Sequence, residues 1–280
     1  MKILYVLLPT HNRVKTTEKC LKCILEQSYK NIKIILLDDG SKDDTTDMVC
    51  KYFPTTIVLE GDGNWWWAGS LQRGREWLRN NADNKDYVVI LNDDSVFENN
   101  YFNLGIELLN ENRNKIIGSY AYDLEDNSLL DCGISINWND LTFNKVSTVN
   151  DINCLSTRGL FMFVGDFLNI GGFHPFLLPH YFSDYEFTIR AYRKGYKLIT
   201  DPMLKLWDDQ SISGIRDFND KSHLKLLAKV FSKKSSSNPI YWTTFVILAC
   251  PWKWKIQNVL RIWLKVIKFA INFYKNKVVS

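Results

Sequence analysis

An apolar run that ends in two adjacent carboxylates is the feature that most constrains the fold of this chain. Residues 88–91 are continuously apolar, and Asn92, Asp93 and Asp94 follow them directly. A short apolar run without alternation is typical of a strand buried on both faces, so the acidic pair is expected at its carboxyl end. Carboxylates in that position suit Mg²⁺ or Mn²⁺, which bind through one or two acidic side chains together with substrate phosphates.

Strand and helix patterns alternate through the first hundred residues. We predict strands at 3–8, 32–37, 56–59 and 87–91 and helices at 16–27, 44–53 and 70–81. This rhythm predicts an open, mostly parallel sheet flanked by helices, in which ligands bind at the carboxyl ends of the strands. Thr10, Asp39 and Asp94 all follow strands, so we expect them to share one site. Further strands are predicted at 116–122, 132–137 and 159–164, and a loop at 201–214.

A second acidic motif, Ser183-Asp184-Tyr185-Glu186, opens a helical stretch about 90 residues after the first. A carboxylate beside an acceptor hydroxyl can act as a general base. A metal site, a diphosphate and a base together indicate the transfer of a sugar from a nucleotide.

Charge is divided unevenly along the chain. Residues 221–280 contain 12 of the 35 basic residues and none of the 31 acidic ones. A polar stretch at 232–238 precedes a change in composition, so we divide the chain into a catalytic domain, 1–230, and a helical, basic and aromatic tail, 231–280. An acidic body with a basic end indicates a tail that meets an anionic surface.

The end of this tail has the pattern of an amphipathic helix. Between Lys255 and Lys277, apolar residues recur at helical spacing among basic ones. A basic and aromatic amphipathic helix is typical of a segment that lies in a membrane interface. The alternative is a helix that packs on the catalytic domain or on a second subunit.

Six cysteines are scattered along the chain. Cys20 and Cys23 form a C-x-x-C motif, but the absence of a matching second pair argues against a zinc site. We predict reduced, buried thiols, which are typical of a cytosolic protein.

Five motifs in this sequence occur in the order found in one enzyme family. They are Leu8-Pro9-Thr10-His11-Asn12-Arg13, Leu37-Asp38-Asp39-Gly40-Ser41-Lys42-Asp43-Asp44-Thr45, Leu91-Asn92-Asp93-Asp94, Gly171-Gly172-Phe173 and Ser183-Asp184-Tyr185-Glu186-Phe187. The chain resembles the inverting family 2 glycosyltransferases of the GT-A fold, particularly the rhamnosyltransferase-like enzymes of bacterial surface-polysaccharide assembly. The resemblance implies an α/β, Rossmann-like GT-A domain with a mostly parallel sheet flanked by helices, followed here by a C-terminal amphipathic helical appendage.

The resemblance implies that four residues near the first two strands bind the donor nucleotide. They are Pro9, Thr10, Asn12 and Asp39. An aspartate can accept hydrogen bonds from a base N–H or a ribose hydroxyl. Asp38 is expected to have a structural role in its turn instead.

The resemblance also implies roles for the acidic pair that follows the fourth strand. Asp94 is expected to bind Mn²⁺ or Mg²⁺, and Asp93 to face the ribose or the donor sugar. Many relatives supply a histidine as a third ligand after the base, but residues 206–210 of this chain contain none. Asp208 or Asp209 could substitute for it, or the metal could bind through Asp94 and the diphosphate alone.

A tryptophan-rich loop, 64–70, replaces the glycine-rich loop of many relatives. Trp66, Gly69 and Arg73 are candidates for donor contact, because small residues admit backbone close to a ligand and Trp faces can stack on sugars or bases. The alternatives are tryptophans packed beneath the loop and an arginine exposed on a helix.

Asp184 occupies the position of the family's catalytic base, and Glu186 is the alternative base. Ser183 stands where the family usually has Glu, so this motif matches only in part. A carboxylate at the N-terminus of a helix can also serve only to stabilise the helix.

These observations predict a metal-dependent inverting glycosyltransferase with Mn²⁺ or Mg²⁺ as its cofactor. Its expected partners are a nucleotide-sugar donor, dTDP-rhamnose or a UDP-hexose, and a glycan or lipid-linked saccharide acceptor, with no nucleic acid. We expect it in the cytoplasm, peripheral at the inner face of the bacterial plasma membrane, and self-association into a homo-oligomer stays open. The alternatives are a non-catalytic nucleotide-sugar-binding module and a nucleotidyltransferase, although residues 9–20 lack a glycine- or lysine-rich pyrophosphate loop.

Overall fold

The computed structural model describes residues 2–111, 114–146, 151–209 and 229–278. The strands are β1 (Leu4–Thr10), β2 (Ile32–Asp38), β3 (Ile57–Glu60), β4 (Tyr87–Ile90), β5 (Lys115–Asp123), β6 (Leu129–Asp131), β7 (Ile134–Asn137), β8 (Thr142–Lys145), β9 (Leu160–Phe163) and β10 (Lys197–Asp208). The helices are α1 (Val14–Leu25), α2 (Thr45–Tyr52), α3 (Trp66–Asn81), α4 (Tyr101–Glu111), α5 (Val164–Ile170), α6 (Ser183–Arg193), α7 (Pro239–Ala249) and α8 (Trp252–Val278).

The main sheet has the strand order β10-β5-β9-β4-β1-β2-β3, with β6 paired to β5. The strands β4, β1, β2 and β3 are parallel to one another, and β5 is parallel to β10. The antiparallel strand β9 lies between β4 and β5. The predicted mostly parallel sheet flanked by helices is therefore confirmed.

Strand β1 shows why the apolar runs form the centre of this sheet. All seven of its residues are buried, because helices cover both faces. Leu4, Val6 and Leu8 point into the core on one face, and Tyr5 and Leu7 point into the core on the other. Because neither face of the strand is exposed to water, apolar and polar residues do not need to alternate along it.

The sequence-based loop at 201–214 is wrong for its first part. Strand β10 continues to Asp208, and Leu204 and Leu206 alternate with outward residues as expected of a half-buried strand. The pairing with β5 shifts register between Asp201 and Lys205. A proline, Pro202, lies in this irregularity, which an edge strand tolerates because one side needs no N–H donor. Residues 210–214 lie outside the described part of the chain.

The topology brings the polar strand ends together. Thr10 at the end of β1 is paired in register with Asp38 at the end of β2. The backbone N–H of Leu91, just after β4, donates to the carbonyl of Leu7. A bridge between Val96 and Trp207 then sets the end of β10 beside the segment that follows β4.

The segment predicted as an appendage packs on the rest of the protein. Phe245, Val246 and Ala249 of α7 are buried in a hydrophobic cluster with Ile189 of α6 and with Phe182, which precedes α6. The cluster also includes the β7–β8 hairpin, so the tail covers part of the α/β body. The division at 230/231 stays a prediction, but the packing makes independent folding of residues 1–230 less favourable.

Buried polar contacts also fix α8 to the body. Asn258, which is fully buried, donates from Nδ2 to the Trp138 carbonyl at 2.7 Å. Within the described ranges, the structure contains no helix with the length and apolar character that a membrane crossing requires.

All six cysteines are free. Cys20, Cys132, Cys154 and Cys250 are buried as predicted, whereas Cys50 is exposed and Cys23 is half-buried. Free thiols are consistent with the expected structural role of most of these residues.

Candidate active site

Arg13 holds the acidic pair that follows β4. Its Nη1 donates to Asp93 Oδ1 at 3.0 Å and to Asp94 Oδ2 at 3.1 Å. Thr10 Oγ1 donates to Asp93 Oδ2 at 2.8 Å. Thr10 and Asp93, both expected at the donor site, are therefore in direct contact, and Arg13 offsets the repulsion between the two carboxylates.

Burial controls the ionisation of this pair. It raises the pKa of Asp93 to about 6, against the opposing effect of the Arg13 charge. Burial also raises the pKa of Asp94, while Arg13 and then Arg158 favour its charged form. Desolvation of this kind disfavours a carboxylate unless a cation lies beside it.

Asp208 joins these residues from the end of β10. It is fully buried, and its Oδ1 accepts a hydrogen bond from Ser95 Oγ at 2.6 Å. Its Oδ2 accepts from Asn92 Nδ2 at 3.3 Å. Burial, and next the Asp94 charge, raises its pKa to about 6. We refer to Asp93, Asp94 and Asp208 as the carboxylate cluster.

A divalent cation fits the chemistry of this cluster at Asp94. Asp94 Oδ1 is buried and has no hydrogen-bond partner among the described residues, whereas Oδ2 is occupied by Arg13. An unpaired buried carboxylate oxygen is a suitable ligand for Mg²⁺ or Mn²⁺. In the described part of the chain, no group of three or more His, Cys, Asp or Glu side chains has the arrangement to hold a metal unaided. The donor set therefore fits a cation that also takes ligands from a bound diphosphate.

Asp38 and Asp39 both organise loops at the end of β2. Asp38 Oδ1 accepts from the Ser41 N–H at 2.9 Å, which matches the structural role expected for it. The Asp39 carboxylate accepts from the backbone N–H groups of Gly63, Trp65 and Trp66 at 3.0, 2.9 and 2.7 Å. Asp39 thus shapes the tryptophan loop, and its contact with a nucleotide stays a prediction.

Asn12 is exposed and links two loops through its side chain and backbone. Its Oδ1 accepts from the Lys42 N–H at 2.7 Å, and its own N–H donates to Ser41 Oγ at 2.8 Å. Pro9 is buried inside β1, one position before Thr10. Both therefore lie beside the Thr10 end of the sheet, and their expected contacts with donor are untested predictions.

The tryptophan loop sends its rings in different directions. Trp66, in the left-handed region with φ 56°, packs its ring edge-on against His180 at 5.9 Å between centroids. Trp67 instead packs against the core and donates from Nε1 to Thr157 Oγ1 at 3.2 Å. A bulky residue at positive φ is a strained conformation that clusters at functional sites. Trp66 is therefore the strained member of the tryptophan loop.

Gly69 belongs to the segment predicted as the tryptophan loop, but it is buried within α3, which begins at Trp66 rather than at residue 70. A Cβ added there would lie 3.1 Å from Trp65 Cβ and 3.7 Å from Pro175 Cβ. A small residue at this position therefore permits the close packing of the loop on the segment before α6. This packing is a structural requirement that is separate from the donor contact expected from sequence.

Arg73 is exposed on α3, away from the carboxylate cluster. Its Nη1 lies 3.2 Å from Glu76 Oε2, and its guanidinium stacks over the Trp65 ring at 5.6 Å. The described contacts match the exposed-helix alternative. Phosphate binding by Arg73 would require this side chain to leave both partners.

Asp184 lies at the N-terminus of α6, where the chain turns sharply. Phe182, just before it, has a left-handed φ of 66°, and the Tyr185 N–H donates to Asp184 Oδ1 at 2.9 Å. Burial raises the pKa of Asp184 to about 6, against the Tyr185 hydrogen bond and the Arg158 charge. A raised pKa of this size is suited to proton transfer near neutral pH.

Glu186 is held in a different environment from Asp184. Arg190 donates from Nε to Oε1 at 2.9 Å and from Nη2 to Oε2 at 2.7 Å. Arg190 also donates to the carbonyls of Ile170 at 3.0 Å and Gly172 at 2.8 Å. This bidentate pair links α6 to the glycine turn, so the geometry favours Asp184 over Glu186 as the base.

Arg158 was not identified from the sequence, yet it connects the two acidic motifs. Its Nε lies 3.5 Å from Asp208 Oδ2. Its charge also lowers the pKa of Asp94 and of Asp184. No local pattern around Arg158 signals this position, which depends on the pairing of β9 with β4. Arg13, by contrast, could have been placed at the site from the sequence, because it closely follows the end of β1.

The comparisons with known proteins agree with this geometry. The model of the family described as "Glycosyl transferase family 2" matches residues 5–161. Glycosyltransferase GlyG of Streptococcus pneumoniae is 28% identical over 130 residues, which are 45% of this chain and 42% of the relative. The GalNAc(5)-diNAcBac-PP-undecaprenol beta-1,3-glucosyltransferase of Campylobacter jejuni is 27% identical over 136 residues, which are 45% of this chain and 41% of the relative. The chain spans less than half the length of both curated relatives.

Solved structures share the fold at low sequence identity. S. aureus TarS residues 1–349, in complex with UDP, superpose with a TM-score of 0.60 and 13% identity. The match covers 93% of this chain and 70% of that 1–349 chain. The mannosyltransferase PcManGT of Pyrobaculum calidifontis, in complex with GDP-Man and Mn²⁺, superposes with a TM-score of 0.56 and 16% identity. The match covers 88% of this chain and 74% of PcManGT. These likenesses establish the GT-A fold. Because the family model also matches more than half of its length, the chain belongs to glycosyl transferase family 2.

Proposed function

We propose that this protein is a metal-dependent inverting glycosyltransferase that moves a hexose from a nucleotide-diphosphate donor to a saccharide acceptor. The observation that carries the proposal is the position of Arg158, whose Nε lies 3.5 Å from Asp208 Oδ2 and whose charge also acts on Asp94 and on Asp184. Inverting transfer requires this arrangement, in which donor-side carboxylates lie near a separate carboxylate on the acceptor side.

Asp184 is the proposed general base. It takes the proton of the acceptor hydroxyl while the hydroxyl oxygen forms a bond to the anomeric carbon of the donor. The bond between that carbon and the diphosphate oxygen breaks, and the nucleoside diphosphate leaves with the electron pair. The Tyr185 N–H fixes the orientation of the carboxylate, and the raised pKa of Asp184 makes it an effective proton acceptor.

The carboxylate cluster forms the donor side of the proposed site. Asp94 is the proposed ligand of Mn²⁺ or Mg²⁺, with Asp208 as a second candidate, because Asp94 Oδ1 is buried without a partner among the described residues. A bound divalent cation supplies charge neutralisation for the departing diphosphate. Asp93, oriented by Thr10 and Arg13, is proposed to face the ribose or the donor sugar.

The proposed donors are dTDP-rhamnose and UDP-hexoses. Support for a nucleotide sugar comes from the structural neighbours, which are TarS in complex with UDP and PcManGT in complex with GDP-Man and Mn²⁺. The name of the Campylobacter relative specifies a PP-undecaprenol-linked acceptor, which supports a lipid-linked saccharide for this chain too. Synthesis of a bacterial surface polysaccharide is the process we propose.

A membrane-facing surface on α8 would suit such an acceptor. Trp252, Ile256 and Leu260 recur at four-residue spacing and are 83%, 72% and 59% exposed. Basic residues on the same helix, among them Lys253 and Lys255, would attract anionic lipids. We propose that α8 lies in the interface at the inner face of the plasma membrane and keeps the enzyme peripheral.

A donor panel tests the proposed function directly. The protein is incubated with Mn²⁺ and UDP-, dTDP- and GDP-sugars, and release of nucleoside diphosphate is measured with and without saccharide acceptors. The proposal expects one donor to be consumed by the native protein and much more slowly by Asp184→Asn. Binding of a nucleotide sugar without turnover would favour the non-catalytic alternative. Release of inorganic pyrophosphate when UTP or dTTP is supplied with a sugar 1-phosphate would favour nucleotidyl transfer.

A further inference from the structure

A compact segment at residues 231–238, which we call the strap, leads into α7. The buried side chain of Asn238 donates from Nδ2 to the carbonyls of Phe231 at 2.9 Å and Ser232 at 3.1 Å. The Asn238 N–H donates to the Ser235 carbonyl at 3.2 Å, and Ser235 is also buried. These bonds hold the strap in a defined turn. The backbone positions from which its exposed side chains extend are therefore fixed.

The strap directs Lys233 toward the tryptophan loop. Lys233 Nζ lies 5.8 Å from the centroid of the Trp66 ring. Trp66 in turn donates its backbone N–H to Asp39 at 2.7 Å and packs its ring on His180. Lys233 therefore lies near the ring of a residue whose backbone N–H is bonded to Asp39, at the end of β2, where the nucleotide is proposed to bind.

The charge of Lys234, the next residue, also acts on this region. Burial, then the charges of Arg13 and Lys234, lowers the pKa of His180 to about 4. His180 thus lies within electrostatic range of both Lys234 and the arginine that holds the acidic pair. Its Nδ1 is buried and has no hydrogen-bond partner among the described residues, so a polar atom faces this region unsatisfied.

The two lysines have no acidic partner among the described residues. In the described ranges, neither Lys233 nor Lys234 forms an ion pair, whereas Arg13 pairs with Asp93 and Asp94. Both lysine side chains are exposed. Exposed ammonium groups near the tryptophan loop are suited to phosphate oxygens, which accept charge-assisted hydrogen bonds.

We propose that Lys233 and Lys234 bind the phosphate groups of the nucleotide, so that the strap completes the donor site from outside the matched family region. This inference rests on the proposed function, because it assigns residues to the diphosphate of the same donor. The strap lies beyond residues 5–161, the part matched by the family model. The lysines add positive charge to a body in which acidic residues outnumber basic ones, and they stabilise the diphosphate before and after it leaves.

Nucleotide affinity measures this contribution. Binding of UDP, dTDP and GDP is measured by calorimetry for the native protein and for the double variant Lys233→Gln/Lys234→Gln. Glutamine keeps most of the side-chain length while removing charge. We expect the dissociation constant to rise by about 10-fold to 100-fold, the range for loss of hydrogen bonds to charged groups. The loss should persist in EDTA, because the lysines act without a metal.

The matched control is Lys253→Gln/Lys255→Gln on α8, which removes the same charge from the tail. This control should bind nucleotide as the native protein does, and a Lys233→Arg/Lys234→Arg variant should retain most of the affinity. Unchanged nucleotide affinity in the glutamine double variant overturns the inference. So does loss of anionic-vesicle flotation with nucleotide affinity intact, because the lysines would then serve the membrane. If the native protein binds none of the diphosphates, the proposed function itself fails. If the native protein binds them and the glutamine double variant binds them equally well, only the lysine inference fails.

Discussion

Arg190 donates hydrogen bonds to both carboxylate oxygens of Glu186, at 2.9 Å and 2.7 Å. Asp184, two positions earlier in the same helix, instead accepts from a backbone N–H and has a raised pKa. The helix therefore presents one carboxylate that is committed to an ion pair and one that is available for proton transfer.

The first prediction separates these two carboxylates. Asp184→Asn should lose about 10²–10⁴ in transfer rate, the range for a general base, and keep donor affinity. Glu186→Gln should lower the melting temperature, because it leaves Arg190 half-paired near the glycine turn. Steady-state kinetics and thermal unfolding of both variants make the comparison. The base assignment would be reversed by an active Asp184→Asn beside a well-folded but inactive Glu186→Gln.

The second prediction concerns pH. Since burial raises the pKa of Asp184 to about 6, a base that must be ionised should give a transfer rate that climbs with pH through about 6 and then levels off. The measurement is the pH profile of transfer at saturating donor. A rate that falls over this range would contradict the role.

Stability should change in the opposite direction over the same window. A carboxyl with a raised folded pKa stabilises the protein below its ordinary pKa of 3.8, and this contribution is lost as pH rises through about 6. Asp184→Asn removes the carboxyl whose ionisation destabilises the folded protein. The melting temperature of the variant should therefore exceed the native value by more at about pH 8 than at about pH 4. An equal difference at both ends would show that Asp184 does not titrate in this range.

The third prediction tests the proposed metal ligand. Asp94→Ala should weaken Mn²⁺ binding and abolish metal-dependent transfer while the fold is kept, since Arg13 still pairs with Asp93. Calorimetric titration with Mn²⁺ in the presence of UDP reports the binding. Asp83→Ala, in the exposed turn before β4, is the control because it removes a carboxylate at the opposite end of that strand from the cluster. Equal Mn²⁺ affinity in both variants would remove Asp94 from the site.

The fourth prediction concerns the exposed face of α8. Trp252→Glu/Ile256→Glu should reduce flotation with anionic vesicles, because it places charge where apolar area is proposed to enter the interface. Leu25→Glu/Tyr52→Glu changes two other exposed apolar residues, 53% and 60% exposed, and should float normally. Added salt should weaken native flotation without abolishing it. Similar flotation of both variants would move the contact elsewhere.

The fifth prediction follows from the packing of α7. Deletion of residues 239–280 should destabilise the protein, since it uncovers Phe182 and Ile189, which are buried against Phe245 and Val246. Removing a buried aromatic side chain alone costs about 3–5 kcal/mol. Thermal unfolding and size-exclusion chromatography of the truncated chain provide the test. A monodisperse product with native-like melting would show that residues 1–238 fold independently.

Much of the fold could be predicted because local signals agreed with tertiary structure. The continuous apolar runs of β1, β2 and β4 and the helical spacing of α1 each indicated the correct element and nearly the correct bounds. Strand β10 was missed in part because an Asp-Pro pair is typical of a loop. Its pairing with β5, which no local pattern reveals, overrides that preference.

The candidate site was predictable where its residues end strands. Thr10 and Asp93 were expected together and are in contact. Arg73 was expected near the donor from motif position alone, but it faces Glu76 on the helix surface. Arg158, which lies beside Asp208, and Lys233, which lies near Trp66, belong to segments without a motif, so only the assembled structure reveals these contacts.

The contact between Ser95 and Asp208 joins residues that are 113 positions apart. Loops of that length form late, because closing them is entropically unfavourable until other contacts compensate. Thr10 and Asp93 are themselves 83 positions apart. The carboxylate cluster and its partners are therefore complete only once β1, β4 and β10 have all joined the sheet, which makes the cluster a property of the finished sheet rather than of any one segment.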